Sequence, residues 1–384
     1  MKCLHIMFSY FTIESRIFKE ASYVLENTEV SEVHALGIWH SGLVIKEVHN
    51  TGLLIERYRS LLNKIKDLGM LNRSSFVSKF VALLSLIGFM TKIFRKSLEI
   101  RPKFLCVHNA ELLPIACIYS KFVSCKIIYL PHELESKKQG KSKLYNSLIS
   151  SIEKTFLKMC FKIIVVCEPI AEWYKNFYGL EEVLVLRNMP LKKHIRTFDR
   201  RQTIRKEKFR ILDEDILYIY QGLIEESRAI STYLEAFKNS KNSLLLMGHA
   251  EGNQNIKNIN QKHSNIFYKE PVPIDEITSF SSLADCGILV LKDNVSKSYQ
   301  FMCPNKFFEY MHAGIPILVS RSLEYLARIV DTNNLGWVID NQNLEDFIEK
   351  TGMEELKSKT KNIELYSRDK YWETDAECFK KIYV

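Results

Sequence analysis

The chain alternates short apolar runs rich in β-branched residues with longer stretches of helical periodicity, and this alternation restricts its fold more than any other feature. Helical patterns, such as those at 17–25 and 145–158, fill the intervals between the runs. Strands that are apolar throughout and separated by helices are typical of a parallel sheet covered on both faces. The first half is therefore predicted to be a doubly wound α/β domain. Its predicted strands are 4–8, 33–38, 104–107, 126–130, 163–166 and 183–186.

The same alternation restarts in the second half, after a charged segment at 192–214 that holds few large apolar side chains. The sequence thus predicts two Rossmann-like doubly wound parallel-sheet domains that face a central cleft, where open α/β sheets bind ligands. The predicted divisions are a first domain at 1–190, a linker at 191–213 and a second domain at 214–365. The strands predicted for the second domain are 216–220, 244–247, 286–291 and 315–320, with helices at 232–238 and 306–312.

Composition agrees with two packed globular domains. A chain of 384 residues exceeds what one core usually holds, and 46% hydrophobic with 26% charged residues excludes a disordered chain. The net charge is +9, but residues 1–190 carry 26 Lys and Arg against 17 Asp and Glu, whereas the remaining residues carry 28 of each. The basic half is expected to meet an anionic partner, whether nucleic acid, a phosphorylated substrate or an acidic membrane surface.

The nine cysteines are odd in number, show no Cys-x-x-Cys spacing and mostly fall within apolar runs, so we interpret them as reduced core residues. The first residues show no secretory signal pattern, and a cytoplasmic protein is expected. The longest apolar stretch, 80–90, is shorter than the ~20 residues of a membrane-spanning helix. Such a segment can lie on a membrane but cannot cross it.

One segment, 303–320, narrows the choice of ligand. Pro304 suits a first helical turn, Gly314 a left-handed helix end, and Pro316 prevents the helix from continuing before the next strand. A short helix at the strand ends offers free N–H groups and a positive dipole end to a diphosphate. Glu309, within that helix, is suited to accept hydrogen bonds from a ribose diol.

The residues PNKFFEYMHAGIPILVS resemble the nucleotide-sugar signature of GT-B glycosyltransferases, in particular the GT4-like (glycosyl transferases group 1) set of bacterial capsule, O-antigen and exopolysaccharide synthesis. Residues 14–21 are similar to the family's acidic-Ser-Arg-Val element, and 127–133 to its strand ending in His-Glu. Residues 220–230 and 246–248 resemble the opening of the donor domain. Residues 366–384 resemble a terminal helix that packs back toward the first domain.

This resemblance implies an acceptor domain followed by a donor domain, and a retaining transfer of a hexose from a nucleotide-diphosphate sugar to a glycan or lipid-linked acceptor. It implies that Glu309 holds the ribose, that Arg228 and Lys306 neutralise the diphosphate, and that His132 faces the transferred sugar. We take Glu309 and His132 as the catalytic candidates. The donor-binding candidates are Gly222, Arg228, Gly248, Pro304, Asn305, Lys306 and Glu309.

The one Asp-x-Asp sequence, Asp213-Glu214-Asp215, lies before a predicted strand, at the end of the charged segment, and not after a strand where a ligand would bind, so metal-independent transfer without a cofactor is expected. Two positions depart from the family pattern. A second Glu eight positions before Glu309 is replaced by Phe301, which bears on how the donor hexose is held. The glycine pair after the first strand is replaced by residues 9–12, Ser-Tyr-Phe-Thr.

Several residues of the first domain are candidates for the acceptor or membrane side. Arg16 belongs to the element after the first strand, and His108 follows another strand, where a satisfied core histidine is the alternative. The basic loop at 137–143 either meets an acceptor phosphate or lipid headgroup, or is a solvated loop without a role. Its lysines are Lys137, Lys138, Lys141 and Lys143.

The segment 75–96 is an apolar helix edged by basic residues. It either docks at an anionic bilayer surface on the inner face of the cytoplasmic membrane or packs against the first sheet.

Other function classes fit less well. A GT-B-like sugar-nucleotide epimerase would need acid and base carboxylates opposite the donor. A nucleic-acid-binding protein would need a recognition element that the basic half lacks. Neither Gly-x-Ser-x-Gly nor Gly-x-Gly-x-x-Gly is present, which argues against a hydrolase triad and a dinucleotide site.

Overall fold

A computed structural model describes residues 1–60, 76–195, 201–211, 215–250 and 254–384 of the chain. The chain divides into two compact units. The first comprises Met1–Leu186 with Asp375–Val384, and the second comprises Arg187–Thr374. Each unit is built around its own sheet.

The first unit contains an eight-stranded sheet in the order β3-β4-β2-β1-β5-β6-β7-β8. Its neighbouring strands are parallel, apart from the antiparallel pair β3 and β4. The chain starts at β1 and winds outward in both directions, so the switch point lies between β1 and β5. The strands are β1 (Lys2–Ile6), β2 (Glu32–Ile38), β3 (Lys46–Val48), β4 (Leu54–Tyr58), β5 (Phe104–Val107), β6 (Lys126–Tyr129), β7 (Lys162–Val165) and β8 (Leu184–Val185).

All six predicted strands of the first half are confirmed, and the sequence missed β3 and β4. The central strand β5 is buried at every position, which is why its sequence is apolar throughout. By contrast, β3 at the edge of the sheet is exposed at all its positions, so it shows no apolar run.

Helices cover the sheet of the first unit. The predicted helices at 17–25 and 145–158 are confirmed with shifted ends. The second begins after Ser142, whose side chain accepts a hydrogen bond from the backbone N–H of Tyr145 at 3.2 Å. The helices are Ser15–Asn27, Phe76–Ile100, Leu113–Phe122, Lys143–Phe156, Glu168–Tyr178 and Cys378–Ile382.

The second unit contains a parallel six-stranded sheet in the order β11-β10-β9-β12-β13-β14. This is the strand order of a dinucleotide-type Rossmann sheet, with its switch point between β9 and β12. The two edge strands, β11 and β14, were not predicted, and both are partly exposed. The strands are β9 (Leu217–Gln221), β10 (Ser243–Met247), β11 (Ile266–Lys269), β12 (Cys286–Leu289), β13 (Ile317–Ser320) and β14 (Gly336–Ile339).

Short helices connect these strands, and the two predicted at 232–238 and 306–312 are confirmed to within two residues at each end. The helices are Arg201–Phe209, Ile230–Phe237, Gln254–Lys257, Ile259–Lys262, Ile277–Ser281, Lys297–Gln300, Asn305–His312, Glu324–Thr332, Leu344–Lys350, Met353–Lys357, Thr360–Ser367 and Trp372–Ala376, the last at the division between the units.

The charged segment predicted as a linker is partly folded onto the second sheet. Its helix Arg201–Phe209 places the guanidinium of Arg205 against Asp285, with N···O distances of 3.0 Å, and Arg201 pairs with the same carboxylate. Asp285 also accepts the backbone N–H of Leu217 at 2.8 Å. Two charged side chains of this segment, Arg201 and Arg205, thus attach it to the second unit. Residues 196–200 and 212–213 of the predicted linker lie outside the described residues.

The terminal segment 366–384 does not form one helix. It contains the end of the helix Thr360–Ser367 and two short helices, Trp372–Ala376 and Cys378–Ile382. Tyr383 lies fully buried in the first unit, 3.2 Å from the thiol of Cys106. The chain end is thereby fixed to the core of the first sheet.

Candidate active site

The helix Asn305–His312 is the local structure that the sequence predicted most sharply. Pro304 has extended backbone angles and is the N-cap, so the helix begins one residue later than the predicted first turn. The N–H of Phe307 donates to the carbonyl of Pro304 at 3.1 Å, which leaves the N–H groups of Asn305 and Lys306 without a partner inside the helix. Gly314 ends the segment at φ 75°, a conformation that favours glycine, and β13 follows.

Glu309 is half-buried on this helix, and its carboxylate is oriented by a neighbouring strand. The side-chain amide of Gln221, the last residue of β9, donates a hydrogen bond to Glu309 Oε2. The other end of that amide accepts from Ser281 Oγ at 2.7 Å. Because both ends of the amide are engaged, its orientation and that of the carboxylate are fixed together. No sequence pattern marked Gln221 or Ser281 as part of a site, because a glutamine at a strand end and a serine in a helix are both common in proteins.

Tyr310, the next residue of the helix, ties it to the same strand. Its hydroxyl accepts the backbone N–H of Gln221 at 3.1 Å and donates to the carbonyl of Ile219 at 3.2 Å. The ring is fully buried against Gly287 of β12, where an added methyl group would lie 2.3 Å from a ring carbon. The helix is therefore held at the switch point between β9 and β12.

Two predicted glycines meet at the carboxyl ends of β9 and β10. Gly222 has φ 125° and Gly248 has φ 149°, both in the region that other residues avoid. A Cβ on Gly248 would lie 1.8 Å from the carbonyl oxygen of Gly222, so no other residue fits at this position without a shift of the backbone. The close approach leaves a loop surface without side chains at this edge of the sheet.

The two predicted cations lie next to this glycine loop. Lys306 Nζ lies 4.1 Å from the centre of the Tyr220 ring and would be 3.0 Å from a Cβ on Gly222. Burial, followed by the nearby charge of Arg228, lowers the pKa of Lys306 to about 7. Arg228 is half-buried, stacks 5.1 Å from the Tyr299 ring, and has no ion pair with a carboxylate of the described residues. The structure therefore brings Lys306, Arg228 and Gly222 together at one edge of the second sheet.

Phe301, at the position where the family pattern has a second Glu, is half-buried, with Lys297 Nζ 4.5 Å from its ring centre. An aromatic ring thus takes the place of a carboxylate in this loop.

In the first unit, two of the candidate histidines are in direct contact. His108 directly follows β5 and is buried, and its Nδ1 lies 3.1 Å from Nε2 of His132, which follows β6 and is half-buried. Nε2 of His108 lies 2.9 Å from Nδ1 of His5 on β1. The three rings thus form a row across the carboxyl half of neighbouring strands.

His108 and His132 are both uncharged at neutral pH. Burial, followed by the positive charge of Arg16, lowers the pKa of His132 to about 3. Burial and then the charge of His132 hold the pKa of His108 well below its usual range. His132 is therefore suited to donate or accept a hydrogen bond, but not to supply a positive charge.

A buried carboxylate, Glu153, is linked through Tyr178 to the loop that carries His132. It was not among the residues predicted from the sequence. Glu153 accepts hydrogen bonds from the hydroxyls of Tyr129, Tyr174 and Tyr178. Tyr178 Oη also contacts Ser136 Oγ at 3.2 Å, which links this cluster to the 130–138 loop. A glutamate in an amphipathic helix ordinarily indicates an exposed face, so no sequence signal pointed to this cluster.

The four lysines predicted for an acceptor or membrane surface differ in their exposure and in their partners. Lys141 and Lys143 are exposed, and Lys137 lies 5.8 Å from the Trp173 ring centre. Lys138 is instead half-buried and paired with Glu135 at 2.8 Å, so it does not add free charge to the surface.

Arg16, a candidate for the acceptor or membrane side, is buried in the first unit. It is only 3% exposed, so it does not belong to a membrane-facing surface, and a role toward the acceptor stays a prediction. Its three guanidinium nitrogens have no hydrogen-bond partner among the described residues. The N-terminal half of an amphipathic helix over a sheet turns this position inward.

The helix Phe76–Ile100 has one buried face and one exposed apolar face. Every fourth residue from Val81 to Ser97 is buried, and Lys92 and Lys96 pair with Glu56 of β4. The opposite face exposes Phe80, Leu83, Leu84 and Ile87. Of the predicted segment 75–96, Ser75 lies outside the described residues. Within the described parts of the chain, every helix is too short or too polar to cross a bilayer.

Solved structures with the same architecture cover the whole chain. Sucrose-phosphate synthase from Thermosynechococcus elongatus has a TM-score of 0.70 at 13% identity, covering 100% of this chain and 98% of that chain. HepE from Anabaena, solved in complex with UDP-glucose, has a TM-score of 0.71 at 11% identity, with coverages of 100% and 99%. Trehalose 6-phosphate synthase from Burkholderia multivorans has a TM-score of 0.63 at 11% identity, with coverages of 98% and 96%. The predicted GT-B fold is confirmed.

Sequence comparison adds the enzyme class. Residues 220–369 match the family described as glucosyltransferase 3-like, C-terminal domain, and this range contains every donor-site candidate. The chain is therefore a glycosyltransferase with a GT-B fold, and membership of the GT4-like set stays a prediction. No curated protein matches its sequence.

Proposed function

We propose that the enzyme transfers a hexose, with retention of anomeric configuration, from a nucleotide-diphosphate sugar to a glycan or lipid-linked glycan acceptor in the synthesis of a bacterial surface polysaccharide. One observation supports this most strongly. Gln221 fixes the carboxylate of Glu309 beside Lys306, at the carboxyl end of β9 where a Rossmann sheet binds its ligand.

The donor is held in the second unit. Glu309 accepts the ribose hydroxyls, and the diphosphate meets the N–H groups of Asn305 and Lys306 at the start of the helix. The side chains of Lys306 and Arg228 lie beside it. The glycine surface of Gly222 and Gly248 lets the ligand approach the backbone.

In this proposal, the rate of transfer depends on how well the enzyme stabilises negative charge on the departing diphosphate. As the bond to the sugar breaks, negative charge grows on the diphosphate, and preorganised cations and amides stabilise it. Lys306 and Arg228 supply the stabilisation that a divalent ion gives in other transferases. We therefore propose that transfer needs no metal ion at the diphosphate.

The acceptor attacks on the face from which the diphosphate departs, and the departing phosphate takes the acceptor proton, so no separate base is required. His132 contacts the transferred sugar as a neutral hydrogen-bonding group, because its pKa is lowered to about 3. Its position is supported by His108 and by the loop anchored through Ser136.

UDP-glucose is the first donor to test. HepE, which shares the fold, was solved with UDP-glucose, and the matching family is a glucosyltransferase family. Phe301 in place of a carboxylate changes how the hexose hydroxyls are met, so a panel of sugars is included.

The first unit takes the acceptor in this proposal. The half-buried Lys137 and the exposed Lys141 and Lys143 attract an acceptor phosphate or anionic headgroups. The exposed apolar face of the helix Phe76–Ile100 contacts the inner surface of the cytoplasmic membrane.

The experiment is a thermal-shift screen of the purified enzyme with nucleotide sugars and nucleoside diphosphates, combined with assays of slow donor hydrolysis. We expect at least one nucleoside diphosphate to raise the melting temperature, and its sugar conjugate to be hydrolysed slowly with retention. The shift is measured with and without nucleotide in the same EDTA-containing buffer, and we expect EDTA to leave it unchanged. No shift with any common nucleotide, or conversion of the donor to its epimer without transfer, would contradict the proposal.

A further inference from the structure

Three potential metal ligands lie on one face of the first sheet. Cys3 and His5 are two residues apart on β1, so their side chains point to the same side of the strand. Cys106 on β5 is the register partner of His5. All three residues are at most 1% exposed.

Their donor atoms have the spacing of a metal site. Cys3 Sγ lies 3.5 Å from Cys106 Sγ and 3.6 Å from His5 Nε2, and the three donor atoms all lie within 4.8 Å of one another. Zinc bonds of about 2.3 Å to sulfur and about 2.0 Å to nitrogen in a tetrahedron place two sulfurs about 3.8 Å apart, and sulfur and nitrogen about 3.5 Å apart. The separation of the two thiols is thus within about 0.3 Å of the value that a shared zinc ion would set. Both cysteines are free thiols.

We propose that Cys3, His5 and Cys106 bind a zinc ion in the core of the first unit. Two thiolates and one imidazole are ligands of the type that zinc prefers over hard cations such as magnesium. Two thiolates also balance the charge of the ion, which a site without water requires. Tyr383 Oη, 3.2 Å from Cys106 Sγ, borders the remaining direction and donates to Glu20 at 3.2 Å.

In known metal sites, the ring nitrogen of a histidine ligand that does not bind the metal usually has a hydrogen-bond partner of its own. Nδ1 of His5 has such a partner in His108. A metal on Nε2 leaves the proton on Nδ1, which then donates to His108 Nε2 at 2.9 Å. His108 then directs its Nδ1–H toward His132 Nε2 at 3.1 Å. The ion thereby fixes which nitrogen of His132 accepts a hydrogen bond.

This site goes beyond the proposed function and does not depend on it. The ion joins β1 to β5, so its role is to stabilise the first unit and to orient His132. It has no part in binding the donor diphosphate, which involves the second unit. Zinc binding is measured without donor or acceptor, so the two proposals fail separately.

The test uses the full chain, produced without a metal-affinity tag and without chelators. We expect about one zinc ion per chain by atomic emission. Protein refolded with Co²⁺ is expected to show thiolate-to-cobalt charge-transfer absorption, which reports sulfur ligands directly. Cys3→Ala and Cys106→Ala are each expected to lose the zinc and the absorption.

The matched control is Cys117→Ala, which removes another buried thiol of the same unit outside the cluster. It is expected to retain both the zinc and the cobalt absorption. The cobalt spectrum of the unmodified chain needs no variant, so poor folding of a variant does not leave the question open. Absence of both zinc and cobalt absorption, or equal zinc in all variants, would overturn the proposal.

Discussion

The side-chain amide of Gln221, at the end of β9, donates a hydrogen bond to the carboxylate of Glu309 on the helix Asn305–His312, although the two residues are 88 positions apart in the chain. The strand thereby orients the group that we assign to the ribose. A carboxylate fixed in advance loses less entropy on binding a diol than one that must be ordered by the ligand.

Replacing Gln221 by Leu is therefore expected to weaken nucleotide binding about 5- to 30-fold, corresponding to about 1–2 kcal/mol for one hydrogen bond to a charged group. Isothermal titration calorimetry measures this loss. Gln342→Leu, which removes an exposed amide of the same unit, is expected to bind like the unmodified enzyme. Equal affinities for Gln221→Leu and the unmodified enzyme would show that the amide does not prepare the site.

The contact between Gly248 and the carbonyl of Gly222 predicts a strong effect of a single methyl group. Gly248→Ala places a Cβ 1.8 Å from that oxygen at φ 149°, so the loop must move. We expect a loss of about 1–3 kcal/mol in the free energy of unfolding, together with loss of nucleotide binding. Urea unfolding followed by circular dichroism checks the first effect. Gly352→Ala meets no atom within 4 Å and is expected to change stability little.

The lowered pKa of Lys306, about 7, predicts that donor binding depends on pH. A protonated lysine attracts the diphosphate and a neutral one does not. Affinity for a nucleotide sugar is therefore expected to fall as the pH rises above about 7, by at most about tenfold per pH unit. In Lys306→Arg, which stays charged, we expect binding with a flat profile over the same range. A profile for Lys306→Arg as steep as that of the unmodified enzyme would assign the titration to another group.

The same group affects folding in the opposite sense. Its pKa in the folded protein lies below the value of 10.5 for a free lysine, so the unfolded chain binds more protons between about 7 and 10.5. The free energy of unfolding is expected to rise with pH across that window relative to Lys306→Met. Denaturation at several pH values measures the difference, and a difference that falls with pH would contradict the lowered pKa.

The buried ion pair between Arg205 and Asp285 predicts that the charged 201–211 segment stabilises the second unit. Asp285→Asn leaves Arg205 without its counter-charge and is expected to cost about 3–5 kcal/mol, seen as a lower melting temperature. Asp340→Asn removes the partner of Arg321 from an exposed pair and is expected to cost at most about 1 kcal/mol. Similar melting temperatures for both variants would argue against a structural role of the segment.

Local patterns predicted the fold where burial determines the sequence. Strands such as β5 are buried on both faces and are apolar throughout, whereas β3 lies at a sheet edge, is exposed and lacks such a run. The helix carrying Glu309 was predicted because Pro304 and Gly314 mark its ends within the sequence itself.

The residues that orient the candidate groups were beyond prediction because tertiary contacts give them their roles. Gln221 meets Glu309, and Glu153 meets three tyrosines, only after distant segments pack together. The burial of Arg16 was missed for the same reason, since a charged residue within a helix gives no sign of being buried.

The most direct measurement is the affinity of UDP-glucose, or of the best nucleotide from the screen, for the unmodified enzyme, Glu309→Gln and Glu324→Gln. Glu324 is an exposed carboxylate of another helix of the same unit and serves as the matched control. Loss of the charged hydrogen bonds to the ribose is expected to weaken binding about 10- to 100-fold in Glu309→Gln, while Glu324→Gln binds as the unmodified enzyme does. Unchanged affinity in Glu309→Gln would contradict the assignment of the donor site.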